Sequence, residues 1–472
     1  MQSTQNLGLR FGGLFALLVL NFVSQAQLSS PKIDAYIERF MERHGIPGAA
    51  VAVIKKDQLV HQNYYGLANV EHSVPVKAQT SFRLHSLSKI FVSTGVFKLI
   101  EQGKIKLDDP ISQYFSDLPS AWHKVEIQHL LTHSSGLPDI AYVDAKLEAE
   151  AKALVFAEEI LFAPGERFHY NQSNYWLLNR IIEQLSATSF VDFIGTHQFS
   201  DLDPEKVFTP LAAAVIPNWA TEYEPLPGDK LERGNFNVPD YLMGAAGMSL
   251  SLEAFIAWSQ SLRQDEFISR KTKDLMWSEF EMTDDLPRPY GWGKYMLNGQ
   301  VSLGFTGGGR VGYRYFPAED LAVIVMTNGY TADFSVDQVI NYTAGSIESS
   351  LKDEQVFAIE SVWQDFLQAG IESSIPKYRK LILSKADLDL EGSLNAIGYY
   401  LASKADFEDA IAVFKLNSEL YPQAWNVWDS LGEGYQMKGM TQLAIKYYQK
   451  SLVLNPQNQH AIQQIAKMQG GD

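Results

Sequence analysis

The 472-residue chain contains no cysteine. Disulfides, thiolate metal sites, a thiol nucleophile and a lipid-modified cysteine are excluded, so any chemistry must use oxygen, nitrogen or a cofactor. Positive charge is scarce: 39 Lys and Arg stand against 55 Asp and Glu, a formal charge of -16. Such a chain repels phosphate backbones and anionic lipid surfaces, and no nucleic-acid partner is expected. No G-x-S-x-G segment occurs, so the strained serine elbow of the α/β-hydrolases is absent. The apolar run from Phe11 to Val23 is short; as a helix it reaches about 20 Å against a hydrocarbon core of roughly 30 Å, so transfer across a membrane is expected in preference to a stable membrane anchor.

What is present is an ordinary globular composition, 46% hydrophobic and 20% charged, at a length that suits two or three domains. Arg10 before the apolar run and Ser24-Gln25-Ala26 after it predict a signal peptide, residues 1–26, cut after Ala26. A periplasmic or secreted location follows. Ser30 and Pro31 suit the N-cap and first position of a helix carrying Ile33, Tyr36, Ile37, Phe40 and Met41 on one face, with Gly45 as its stop.

Ala49 to Lys55 and Leu59 to Tyr65 read as strands of a hairpin around Lys56-Asp57-Gln58. Strand patterns return only at Val301 to Thr306, Gly312 to Phe316 and Leu321 to Thr327. A sheet built from both ends of a domain must carry the middle as a helical layer, an α/β or α+β architecture rather than a βαβ succession.

From about residue 346 the pattern is helical, and it repeats at 34 residues: Gly398 with Gly432, Ala410 with Ala444, Pro422 with Pro456. Trp428, Leu431, Gly432, Tyr435, Ala444, Tyr448 and Pro456 resemble the tetratricopeptide pattern, and Leu394, Ile397, Gly398, Leu401, Ala410, Phe414 and Pro422 repeat it. The expected organisation is a leader at 1–26, a first domain at 27–345, a helical bridge or cap at 346–385 and all-α repeats at 386–472.

A serine hydroxyl needs a neighbouring base to become a nucleophile. Ser86 and Lys89 stand three apart, which on a helix places both on one face. Ser29/Lys32, Ser349/Lys352 and Ser374/Lys377 share that spacing. Only Ser86 lies between a short strand pattern and an apolar helix running through Ile90, Phe91, Val92, Val96, Phe97, Leu99 and Ile100 to Gly103, the setting that would desolvate the lysine and lower its pKa.

Ser86-Leu87-Ser88-Lys89 resembles the S-x-x-K motif of the serine β-lactamase and penicillin-binding-protein superfamily, in its class C-like branch of esterases and D-peptidases. Leu130 to Pro138 resembles the family's LLTHTSGLP segment, Pro164 to Tyr170 the approach to Y-x-N, and Gly244 to Ser249 its AGGL segment. The resemblance spans roughly residues 33 to 345. It implies a sandwich of antiparallel sheet and helices with a helical subdomain, and a serine hydrolase using no cofactor or metal. Ser86 would attack a carbonyl, Lys89 and Tyr170 would share proton transfer, and the backbone amides of Ser86 and Gly308 would form the oxyanion hole.

Two positions depart from the family pattern. Y-x-N reads Tyr170-Asn171-Gln172, which keeps an amide on a longer side chain. The third motif, usually K-T-G or H-T-G, reads Phe305-Thr306-Gly307, so a substrate carboxylate loses its usual cation. Esters or related amides lacking that carboxylate are favoured. Arg310 could restore a cation if its turn folds back, which leaves D-alanyl peptides or β-lactams as alternative substrates. A third alternative is a weak catalyst serving as a scaffold, its repeats binding a protein or a second copy of the chain. His129 and His133 sit four apart, but no glutamate follows His129 and no third ligand is evident, so capping or packing roles are expected.

Overall fold

The chain enters its fold through helix α1, Pro31–His44, with Pro31 in the first turn and Gly45 closing it at φ 61°. Ile33, Tyr36, Ile37 and Phe40 are buried. Ser30 holds the N-cap position without a side-chain cap bond; its N–H donates instead to His61 Nδ1 at 3.1 Å. The computed structural model describes residues 30–199, 216–226, 230–234, 238–331, 335–385 and 387–470. The leader expected at 1–26 lies outside them. No helix among the described residues is long and apolar enough to cross a membrane.

Strands β1 (Gly48–Lys55) and β2 (Gln58–Asn69) form the expected hairpin. Lys56 and Asp57 both take positive φ, 48° and 59°, the two-residue turn whose twist matches the strands it joins. Gln58, expected in the turn, pairs with Lys55. Then follow β3 (Val74–Pro75) and β4 (Ser81–Arg83), the latter paired with β5 (Ser249–Ser251) in a separate ribbon. Strands β6 (Gly293–Leu297), β7 (Gln300–Gly307), β8 (Val311–Phe316) and β9 (Leu321–Thr327) complete a seven-stranded antiparallel sheet in the order β6-β7-β8-β9-β1-β2-β3.

β1 pairs with β9, which brings the two ends of the sequence pattern together at the sheet centre. Both strands read as continuous apolar runs because both faces are covered. Ala50, Ala52 and Ile54 join one core with Tyr313, Ile324 and Met326, whereas Ala49, Val51 and Val53 join another with Val323 and Val325. The first core is closed by α2 (Ser88–Glu101), α3 (Ser173–Ser186) and α4 (Leu252–Arg263), the second by α1 and α5 (Val336–Ile347). In α2, Phe91, Val92, Val96, Phe97 and Leu99 are fully buried. At about 1.5–3 kcal/mol for each large apolar side chain, these fix the helix that carries Lys89.

Beyond the sheet run α6 (Glu354–Gln364), α7 (Ile371–Ser384), α8 (Glu391–Ser403), α9 (Phe407–Leu420), α10 (Trp425–Met437), α11 (Thr441–Leu454) and α12 (Gln459–Met468). The pair α8/α9 recurs as α10/α11 at the 34-residue offset. The small residues explain the pairing: a Cβ on Gly398 would meet the Phe414 ring at 2.3 Å, and one on Gly432 the Tyr448 ring at 2.9 Å. Helix α6 bridges two cores, Phe357 packing on the outer sheet layer and Val362 and Trp363 on the repeating helices.

Glu360 ties the same helix to α1. Its carboxylate accepts from Arg39 at 2.7 and 2.9 Å and from Arg43 at 2.8 Å, with the glutamate 4% exposed. Removing one partner strands buried charge, so Glu360→Ala is expected to cost about 3 kcal/mol in urea denaturation, well above the cost of an exposed control such as Glu408→Ala.

Candidate active site

Ser86 sits in the tight turn His85–Leu87, between β4 and the first residue of α2. Lys89 lies in the first turn of that helix and is fully buried. Its ammonium donates to the Ala245 carbonyl at 2.7 Å and to Gln172 Oε1 at 2.9 Å, 4.8 Å above the Tyr170 ring and 5.2 Å from that of Tyr175. Burial pushes its pKa below the ordinary lysine range, opposed by Tyr170 and by the charge of Asp139. The S-x-x-K spacing thus places beside Ser86 a lysine that gives up its proton more readily than a solvated one.

Tyr170 reaches the serine from the opposite wall: its hydroxyl donates to Ser86 Oγ at 2.7 Å. Its ring rests on His133 at 4.4 Å between centroids. His133 Nδ1 accepts from Asn171 N at 3.3 Å and Asn174 Nδ2 at 3.1 Å, and burial with the nearby Lys89 charge holds its pKa well below the usual value. The imidazole is therefore neutral and supports Tyr170 by packing. His129 Nδ1 accepts from Glu126 N at 3.0 Å, closing the N-terminus of the Ile127–Leu131 helix.

Gln172 occupies the N-cap position of α3. Because an ammonium can only donate, the atom facing Lys89 is the amide oxygen, which leaves the Gln172 NH₂ group as a donor. Asp139 fixes the backbone there, Oδ1 accepting from Gln172 N at 3.0 Å and Ala141 N at 3.0 Å. Burial raises the Asp139 pKa despite these bonds and the Lys89 charge.

The end of β7 lies flat on the serine turn. A Cβ on Gly307 would fall 1.9 Å from the Leu84 carbonyl oxygen, and one on Gly308, at φ 55°, 2.8 Å from the His85 ring. Phe305, half-buried, packs on the inner core. The Thr306 hydroxyl donates to Asp337 Oδ1 at 3.1 Å and accepts from Arg314 Nη2 at 2.7 Å, so its only proton is already placed. The turn at Arg310 does fold back: Nη1 donates to the Gly308 carbonyl at 3.2 Å, Nη2 to Glu224 at 3.4 Å, and the guanidinium stacks 5.0 Å from the Tyr330 ring.

A family model described as Beta-lactamase matches residues 33–343, about two-thirds of the chain and all the side chains above. The chain belongs to the beta-lactamase family. Penicillin-binding protein 4* of Bacillus subtilis is 30% identical over 292 residues, 56% of this chain and 63% of that protein. A D-aminopeptidase of Gluconobacter oxydans is 26% identical over 330 residues, 64% of this chain and 60% of its own. The chain thus spans less than two-thirds of the length of these curated relatives. The octameric penicillin-binding-protein homologue of Pyrococcus abyssi shares the fold with a TM-score of 0.58 at 23% identity, covering 67% of this chain and 76% of its own.

Within the beta-lactamase frame, Ser86, Lys89, Tyr170 and Gln172 come to one place, and Gly307 and Gly308 abut the serine turn. Sequence reasoning passed over three contributors. Ala245, whose carbonyl holds Lys89, lies inside the quoted Gly244–Ser249 segment and was within reach. Asp139 follows Pro138 directly. Glu222, which holds His85, carries no sequence signal at all.

Proposed function

We propose that this chain is an exported serine hydrolase that forms an acyl-enzyme on Ser86 and cleaves carboxylic esters or related amides. The observation that carries the reading is the Tyr170–Ser86 hydrogen bond beside a buried Lys89 of lowered pKa. Lys89 and Tyr170 together take the serine proton as Oγ attacks the carbonyl and return one to the leaving group. The amides of Ser86 and Gly308 hold the developing oxyanion, the Gln172 NH₂ donates to the substrate, and water then releases the acyl group.

The proposed substrate class is supported by β7 and the turn after it. Phe305 supplies no cation, the Thr306 proton is spent on Asp337, and Arg310 is turned to Gly308 and Glu224. A carboxylate beside the scissile bond forfeits a charge-assisted bond, about 1.5–3 kcal/mol or roughly 10- to 100-fold in kcat/KM. Neutral nitrophenyl esters should therefore outpace penicillins and D-alanyl-D-alanine peptides by at least that factor. Equal or faster acylation by penicillin contradicts this assignment. Phe305→Lys should raise penicillin acylation about 10-fold or more, read by fluorescent penicillin labelling.

A second reading, a D-amino-acid peptidase or weak β-lactamase, is favoured by the similarity to the D-aminopeptidase and requires Arg310 to leave Gly308 and Glu224 for a substrate carboxylate. It predicts Arg310-dependent cleavage of D-alanyl peptides. The paired glycine–aromatic contacts at the 34-residue offset support tetratricopeptide repeats at 386–472, serving association with a protein or a second copy. Residues 27–345 form the hydrolase domain in this proposal and 346–385 the bridge. Export predicts a mature chain that begins at Gln27 on N-terminal sequencing.

A further inference from the structure

The residue before the nucleophile carries an uncommon backbone conformation. His85 has φ 49°, in the left-handed region that glycine enters freely and other residues, histidine among the more tolerant, enter only in a few per cent of cases. No glycine is used, and the residue is 2% exposed, its ring close enough to Gly308 that a Cβ there would meet it at 2.8 Å. Its Nε2 meets Glu222 Oε1 at 2.6 Å. Strain kept beside a reacting group persists only where the surroundings hold it.

Glu222 is well placed to hold it. Tyr223, the next residue, donates its N–H to the Asn328 carbonyl at 2.8 Å just beyond β9, and Gly234 N donates to the Glu222 carbonyl at 2.9 Å. The carboxylate is also faced by Arg83, 3.9 Å away. Burial pushes the Glu222 pKa up, but the His85 bond and the charges of His85, Arg83 and Arg310 outweigh it, so the group stays ionised. From the other side, Arg310 holds the Gly308 carbonyl at 3.2 Å. The imidazole is thus held between two segments, Glu222 on one side and Gly308 on the other, and it belongs to the residue whose carbonyl shares a peptide bond with the Ser86 amide.

We propose that Glu222 and His85 are positioning residues that set the spacing of the oxyanion hole, with the ring as the spacer and the carboxylate as its anchor. This rests on the assignment of Ser86 as nucleophile and of the Ser86 and Gly308 amides as the hole. The pair touches no substrate atom; it acts through the two backbone groups, so its loss shows in how strongly the acyl carbonyl is polarised and less in substrate binding.

The test uses the full chain acylated with nitrophenyl trimethylacetate, a slowly released acyl group carrying a ¹³C-labelled carbonyl, read by isotope-edited infrared spectroscopy. His85→Gly suits the local φ and so preserves the turn while removing the spacer; Glu222→Ala removes the anchor. Both should acylate about 10- to 100-fold more slowly than the unsubstituted chain, short of the loss of a whole oxyanion donor, with substrate affinity little changed and the carbonyl band shifted to higher wavenumber. Glu222→Gln, which keeps an acceptor for the His85 N–H, should restore rate and band. The proposal is overturned if His85→Gly acylates at the original rate, or acylates slowly with its band unmoved. If the unsubstituted chain forms no adduct at Ser86, the nucleophile assignment falls and this proposal with it, an outcome distinct from an adduct whose band ignores both substitutions.

Discussion

Replacing Lys89 by methionine is expected to lower ester turnover about 10³- to 10⁴-fold without unfolding the protein. The ammonium is fully buried against the Tyr170 and Tyr175 rings, and methionine fills a similar volume without the desolvated charge. Activity and stability should then part company. Burial lowers the Lys89 pKa, so between that lowered value and the ordinary 10.5 the unfolded chain binds a proton that the folded chain does not. Stability of the unsubstituted protein therefore rises with pH through that window, and Lys89→Met should lose that slope. The acylation rate of the unsubstituted protein should climb with pH over a limb centred below the lysine range, as the free amine appears. Stopped-flow acylation against pH, paired with urea melts at the same pH values, reads both effects. A Lys89→Met variant that turns over esters within 10-fold of the original contradicts the base assignment.

Replacing Ser86 by alanine is expected to have the larger effect, a loss of about 10⁴- to 10⁶-fold, because no acyl-enzyme can form. Ser86 is half-exposed and its Oγ accepts one hydrogen bond, from Tyr170, so the substitution should change stability by no more than about 1 kcal/mol. Residual turnover would reflect binding and the oxyanion amides alone. Full retention of turnover in Ser86→Ala, measured on the same esters, would remove the nucleophile from the scheme.

Much of the fold could be read from the sequence because its central strands have nothing polar to place. β1 and β9 are buried on both faces, so their apolar runs stand out, and the Lys56-Asp57 turn lies between two of them. The repeating helices were legible for a similar reason: Gly398 and Gly432 must be small where Phe414 and Tyr448 press on them. The short strand before Ser86 was legible as β4, but its pairing with β5 was not, since a three-residue strand from a distant part of the chain leaves no periodicity. Neither was Gln58 as a strand residue, because its polarity suits a turn as well as an exposed strand end.

In the candidate site, the side chains that motifs name were found at once, whereas the groups that hold them were not. Lys89 is held by a backbone carbonyl, Ala245, and a carbonyl has no sequence identity of its own. Thr306 was named by the third motif, but nothing along the sequence signals that Asp337 and Arg314, from α5 and β8, lie on its hydroxyl. Glu222 reaches His85 across more than a hundred residues of chain, and a lone glutamate in loop sequence reads as a solvated charge. Spacing rules report neighbours along one element; these contacts join different elements and follow from the tertiary fold.

The most direct test of the account is intact-mass measurement of the full chain after brief reaction with nitrophenyl trimethylacetate, followed by peptide mapping of the modified protein. One acyl group per chain, located on Ser86 and absent from Ser86→Ala, is the predicted result. An adduct on another residue, or ester turnover with no covalent adduct under conditions where deacylation is slow, would contradict it.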